Sequence, residues 1–181
     1  MKSRGGGHIS FVSSAAGQFA IWGYTAYSAS KFALRGFADA LQMELEPYNI
    51  NISVLCPPNT DTDYFRSFHT STMPVIMRKM TAVAGLVSAE EVARAHIRDI
   101  ENGNYLTTNG LMGWFLGLVT AGASPERSML QALAQFYLGA LGRIGVLAII
   151  GHFNSLSRDQ ASQRRKESER ASLPGATVQS Y

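Results

Sequence analysis

The sequence predicts an α/β fold with a parallel sheet, followed by an apolar helical segment on the C-terminal side. Three observations predict it. A strand pattern, a long helix pattern and a second strand pattern follow one another within residues 8–56, the order of a βαβ unit. Both strand patterns are mostly apolar, as strands covered on two faces are. From residue 102 to residue 151 only Glu126, Arg127 and Arg143 carry charge, a texture that fits deep burial or contact with lipid.

The elements follow in order. His8 to Ser14 is apolar and β-branched enough for a strand. The loop SAAGQFAIWGYT comes next, with Gly17 and Gly23 as breakers. Ala26 to Glu46 is a helix, with Ala29, Ala33, Phe37, Leu41 and Leu45 at steps of four and Pro47 closing it. Asn51 to Cys56 is the second strand, stopped by Pro57 and Pro58. Residues 59–85 mix polar and aromatic side chains and read as a loop with short helical turns. Ser88 then caps a helix, with Glu91 completing a capping box, Gly103 beyond the end, and Ala93, Ile97 and Ile100 on the inner face. NYLTTNG reads as a short last strand. Ser128 to Gly151 is long enough to cross a bilayer, for which about 20 residues suffice. Arg143 within it costs about 2.5–3.5 kcal/mol on insertion scales. The domain boundaries read from this are 1–110 for the α/β part, 111–151 for apolar, membrane-associated helices, and 152–181 for a polar tail expected to be disordered.

Composition narrows the function. Hydrophobic residues are 46% of the chain and charged residues 16%, the latter low for a globular domain. The net charge of +3 comes without any basic stripe interleaved with aromatics, which argues against nucleic acid. A single cysteine, Cys56, excludes a disulfide framework and a cysteine-rich zinc site, and it reads as inert core. His8, His69, His96 and His152 form no metal-spaced pair, so no metal is expected. MKSRGGGHIS lacks the apolar core of a secretory signal.

The stretch YSASK carries chemistry. At positions i and i+4, Tyr27 and Lys31 project from one helix face near its N-terminus. A tyrosine hydroxyl ordinarily titrates at about 10, and a nearby ammonium favours the phenolate. Such a group exchanges a proton with an alcohol or carbonyl oxygen. Ser14, at the end of the preceding strand, brings a hydroxyl to the same carboxyl edge of the sheet, where open α/β folds place their ligands. Asp61 and Asp63 read as structural caps rather than catalytic acids.

FVSSAAG, YSASKFALRGFADALQMEL and NISVLCPPNTDT together resemble the second half of a short-chain dehydrogenase/reductase, over about residues 7 to 103. PYNINISVLCPPNTDTDYF and the uncharged C-terminal segments resemble the branch that reduces 3-ketodihydrosphingosine. The resemblance implies the C-terminal half of a Rossmann-like, doubly wound parallel sheet with NADPH as cofactor. It implies Tyr27 as the proton donor to the nascent alkoxide. Lys31 would tune that tyrosine and hold the nicotinamide ribose. Ser14 would polarise the ketone, with Ser13 the alternative; the thirteen-residue offset from Ser14 to Tyr27 fits the family pattern better. Pro57, the backbone around Asn59 and Thr60, and the Thr62 hydroxyl would line the cofactor.

It further implies a sphingoid-ketone substrate and residence at the endoplasmic reticulum membrane. The catalytic part would face the cytosol, with Arg164 to Lys166 on that side. A homo-oligomer paired through the long helix is also expected. The family's TGxxxGxG turn is not in the sequence, since the glycines of GGGHIS precede a strand instead of a helix. Nor are the basic residues for a 2′-phosphate, or the asparagine of the proton relay. The chain is therefore expected to carry the reactive half of a site, to expose its first strand as an apolar edge, and to be poorly folded and inactive alone. Competing readings are a reductase of a retinoid, steroid or other lipid ketone, and a non-catalytic truncated product.

Overall fold

The structure, a computed structural model, describes residues 1–126 and 128–171. Two units divide the chain, Met1–Ile144 and Gly145–Tyr181.

The first unit is built on a three-stranded parallel sheet in the order β1 (Gly7–Val12), β2 (Ile50–Cys56), β5 (Leu106–Thr108). Strand β2 is central because it is the most apolar, and the parity of its residues divides the two faces. Ile50, Ile52, Val54 and Cys56 join Ala38 and Leu45 of helix α1 (Thr25–Leu45) and Tyr105 in the core. Register places Ile9 and Phe11 of β1 on that same face. The other face carries His8, Ser10, Ser53 and Thr107, and helix α4 (Ala89–Glu101) covers it. There His8 bonds Ser53, and His96 of α4 bonds both Ser10 and Thr107. Helices on both faces of a parallel sheet give the doubly wound layering the sequence predicted. Strand β1 is an edge strand, with Val12 57% exposed.

The long helix is present, but it turns a different face inward. Ser28, Lys31, Arg35, Ala38, Gln42 and Leu45 face the sheet or the loops, while Ala29, Ala33 and Phe37 of the expected row face outward. The reason is geometric. Successive steps of four advance about 40° around a helix of 3.6 residues per turn, so a row of pure i+4 steps winds off any one face. Alternating steps of three and four, as in 28, 31, 35, 38, 42 and 45, hold it. Leu41 and Leu45 do reach the core, and Phe37 packs edge-on against Phe11 with centroids 5.5 Å apart. A similar error of phase affects α4. Ser88 caps it by accepting from Glu91 N–H, as expected, and Gly103 follows with φ 73°. Its inner residues, however, are Val92, Ala95 and His96, whereas Ala93 and Ile97 are exposed. A polar inward residue, His96, is invisible to a count of apolar periodicity.

Residues 59–88 are more regular than a loop. Strand β3 (Asn59–Asp61) pairs in parallel with β4 (Leu86–Ser88), and between them lie α2 (Asp63–Ser71) and α3 (Val75–Thr81). Thr62 caps α2 by accepting from Phe65 N–H. Arg66 pairs with both Asp61 and Asp63, consistent with a structural role for those carboxylates. Helix α3 buries Ile76, Met77 and Met80.

Two apolar helices follow. Helix α5 (Gly110–Val119) lies on Leu106 and Thr108 through Gly113 and Gly117. Helix α6 (Met129–Ala171) contains a stretch long and apolar enough to cross a membrane by length and composition, and most of it is exposed. A Cβ at Gly142 would strike Val119 and Phe115, so α5 and α6 cross closely there. The second unit continues α6. The polar stretch 152–171, expected to be disordered, is helical: it contains no glycine or proline, is rich in helix formers, and carries the i,i+4 pair Arg165–Glu169. Residues 172–181 of that expectation lie outside the described residues.

Burial holds His96 and His8 below the ordinary imidazole value of 6.5; Asp99 opposes this at His96, and His8 adds to it. The folded chain therefore binds fewer protons than the unfolded chain just below that value. Stability is full above 6.5 and is lost as pH falls from there toward the folded values. Urea unfolding followed from about pH 8 to pH 5 should show this decline, and His8→Asn with His96→Asn should flatten it.

Candidate active site at the carboxyl end of β1

The chain leaves β1 through Ser13 and Ser14 and turns at once into a short 3₁₀ segment, Ala15–Gly17. Two bonds hold this exit to the end of β2: Ser13 N–H donates to Leu55 O and Ala15 N–H to Pro57 O. The two serines then take different parts. Ser13 is 2% exposed and its hydroxyl donates to the Lys31 carbonyl at 2.9 Å. Ser14 is half-buried, and its oxygen accepts from Ala16 N–H at 3.1 Å, which orients the hydroxyl and leaves its proton available. Ser13 is thus committed to structure and Ser14 retains a free donor.

Tyr27 and Lys31 lie in the first two turns of α1. Lys31 Nζ donates to the Val12 carbonyl at 3.0 Å and sits 5.6 Å from the centre of the Tyr27 ring. The lysine bonds the strand with its ammonium, and its own carbonyl receives Ser13. This reciprocal pair fixes α1 against the end of β1. One ammonium proton is used, leaving two for a ligand. Tyr27 is 42% exposed. The glycine before the pair is constrained too. A Cβ at Gly17 would lie 2.5 Å from Ser13 Oγ and 2.9 Å from the Lys31 carbonyl, so only glycine lets the serine loop come this close to the helix.

Aromatic neighbours complete the mouth. The Tyr24 ring lies 5.0 Å from that of Tyr27, and burial first, then the nearby Tyr27 and Tyr64, raise its hydroxyl above the ordinary value. The i,i+3 tyrosines of YTAY were the available sequence signal for this neighbour. Gly23, with φ 86°, packs against Met77 of α3, which brings the apolar α3 beside the loop that feeds Tyr27. Cys56 is fully buried and its thiol is raised by burial, as suits inert core.

The remaining sequence-predicted residues lie just beyond β2. Pro57 offers its carbonyl to Ala15. Asn59 donates its amide to Thr81 O, and Thr60 donates to Pro58 O. These side chains hold the segment's own shape. Thr62 accepts from Phe65 N–H and keeps its hydroxyl proton.

Comparisons with known proteins bear on the fold. Residues 1–72 match the short chain dehydrogenase family. Over those residues the chain is similar to short-chain dehydrogenases/reductases. A 3-dehydrosphinganine reductase of Danio rerio is 42% identical over 92% of this chain and 50% of that protein. A 3-ketodihydrosphingosine reductase of Bos taurus is 40% identical over the same shares. The chain spans about half the length of the curated relatives it matches. Among solved structures, a short chain dehydrogenase of Burkholderia cenocepacia in complex with NADP aligns with a TM-score of 0.52 at 23% identity, over 73% of this chain and 47% of that one. That likeness supports the fold.

The packing at Gly17 yields a paired test. Gly17→Ala should destabilise the chain by about 1–3 kcal/mol, the usual range for overpacking, because the clash is with backbone. Gly36→Ala, inside α1 where a Cβ meets nothing within 4 Å, should stabilise it by about 0.5–1 kcal/mol. Urea midpoints of the two variants against the parent chain provide the check.

Proposed function

We propose that this chain carries the reactive half of an NADPH-dependent ketone reductase, and that its substrate is the sphingoid ketone 3-ketodihydrosphingosine. The observation that carries the reading is the fastening of Lys31 to the end of β1, beside an exposed Tyr27 and a Ser14 with a free hydroxyl proton. The names of the relatives support the substrate class.

In this reading Ser14 donates its hydroxyl to the ketone oxygen and polarises the carbonyl. Tyr27 donates its proton to that oxygen as charge develops there. The Lys31 ammonium favours the resulting phenolate and holds a ribose hydroxyl with its spare protons. The groups fit the nicotinamide end of the cofactor: two free N–H groups on Lys31, the O–H of Thr62 and the backbone at Asn59 and Thr60, with the Pro57 ring as an apolar wall. NADPH bound there supplies the hydride that reduces the carbonyl carbon.

The apolar part of α6 anchors the chain in the endoplasmic reticulum membrane, with the catalytic part on the cytosolic side. The exposure of its large apolar side chains, among them Leu130, Phe136, Leu141 and Ile144, supports contact with lipid. The outward face of α1, with Ala29, Phe32, Ala33 and Phe37 exposed, supports pairing with a second copy.

The test is a chimera in which this segment replaces the matching half of the Danio rerio relative. The chimera should oxidise NADPH with 3-ketodihydrosphingosine and yield dihydrosphingosine by mass spectrometry, while the 181-residue chain alone should not turn over. Tyr27→Phe in the chimera should lose at least about 10²–10⁴-fold in kcat while keeping its fold. Preference for a retinoid or steroid ketone would overturn the substrate, and an active Tyr27→Phe variant would overturn the acid.

A further inference from the structure

Arg35 is 9% exposed and faces inward from α1, one helical turn after Lys31. Among the described residues none of the ion pairs involves it. The carboxylate one turn further on, Asp39, is engaged elsewhere, accepting from Tyr105 and from Ser124. The guanidinium instead donates to two backbone carbonyls from different parts of the chain. One is Gly17 O, at 3.2 Å, in the loop that runs from Ser14 toward Tyr27. The other is Thr120 O, at 3.0 Å, just past the C-terminal end of α5. A buried cation without a carboxylate is uncommon, since charged side chains are rarely buried unless paired. The rigid fork of arginine suits this geometry, because it presents several donors at fixed angles to separate acceptors. The carbonyls at a helix end also have no partner within the helix and carry its partial negative charge, so a cation is favoured there.

The two carbonyls lie on elements that meet. Gly117 of α5 approaches Thr108, Leu106 and Gln18, and Gln18 directly follows Gly17. Helix α1 therefore grips the serine loop at two successive turns. Lys31 O receives Ser13, and Arg35 holds Gly17 O with one arm and the end of α5 with the other.

We propose that Arg35 is a positioning residue: it fixes the Ser14 loop against the Tyr27–Lys31 helix and couples that geometry to the seating of the apolar helix α5. Arg35 touches no reacting atom in this account. It acts through the Gly17 carbonyl on Ser14, and through Thr120 it makes the placement of α5 a condition for a correctly placed Ser14. The kinetic part rests on the reductase reading above; the structural part does not.

Arg35→Met removes both bonds while keeping an apolar stem of similar length, and Arg35→Lys, a single flexible point donor, restores one of them. In the chimera, Arg35→Met should lower kcat by about 10²-fold, the cost of a misplacement on the order of 1 Å, with KM for the ketone little changed. Arg35→Lys should recover part of that loss. Hydrogen exchange, read on the chain alone and in the chimera, should quicken together in Arg35→Met at residues 13–19 and 116–121, and much less in Arg35→Lys. Arg94→Met, which breaks only an exposed pair with Glu90, should change neither readout. Unchanged kcat in a folded Arg35→Met chimera would overturn the positioning role, and exchange that quickens at only one of the two segments would overturn the coupling. If the unsubstituted chimera fails to turn over, the reductase reading falls and the exchange result alone judges the clamp.

Discussion

The arrangement at the site depends on the reciprocal bond between the end of β1 and the second turn of α1. Ser13 donates to the Lys31 carbonyl, and the Lys31 ammonium donates back to the Val12 carbonyl. Neither bond is individually large; bonds involving a charged group contribute roughly 1.5–3 kcal/mol and neutral ones about 1 kcal/mol. Their importance is geometric. They set the distance between a strand end that offers one hydroxyl and a helix that offers another. Gly17 is required because this approach leaves no room for a Cβ. Arg35 and Gln42 extend the same principle along the helix: Gln42 accepts from Ile52 N–H, so polar side chains of α1 clasp backbone groups from β1 to α5.

That polar seam explains which parts of the fold were legible in the sequence. β1, α1, β2 and β5 were readable because strand apolarity, helix length and the Pro57-Pro58 stop are local signals. The Ser88 cap was readable because a capping box is a four-residue pattern. The inward face of α1 was not, because Lys31, Arg35 and Gln42 are polar and an apolar count passes over them. His96 hid the inner face of α4 for the same reason. The β3–β4 pair was missed because three-residue strands far apart in sequence carry almost no periodic signal. The helical continuation beyond residue 151 was missed because a polar stretch without a buried face looks alike whether helical or disordered.

The site itself was largely readable in its residue types and less so in their division of labour. Lys31 is fastened to the end of β1 with the Tyr27 ring beside it, and Ser14 lies two residues beyond that strand end. The sequence favoured Ser14 by its offset to Tyr27 and kept Ser13 as the alternative; the placement of the Ser13 hydroxyl on the Lys31 carbonyl favours the same choice. Pro57, Asn59, Thr60 and Thr62 form the neighbouring rim, but three of those side chains are turned to holding the rim's own shape.

The two serines also provide the most direct measurement of the account, because it assigns one to fastening and the other to chemistry. Turnover of 3-ketodihydrosphingosine should be measured side by side for Ser13→Ala and Ser14→Ala in the chimera with the Danio rerio half. The account predicts that Ser14→Ala loses about 10²–10³-fold in kcat, as removal of a donor to a developing oxyanion does, while Ser13→Ala keeps kcat within about tenfold and loses mainly stability. A catalytic collapse in Ser13→Ala with Ser14→Ala near normal would contradict it.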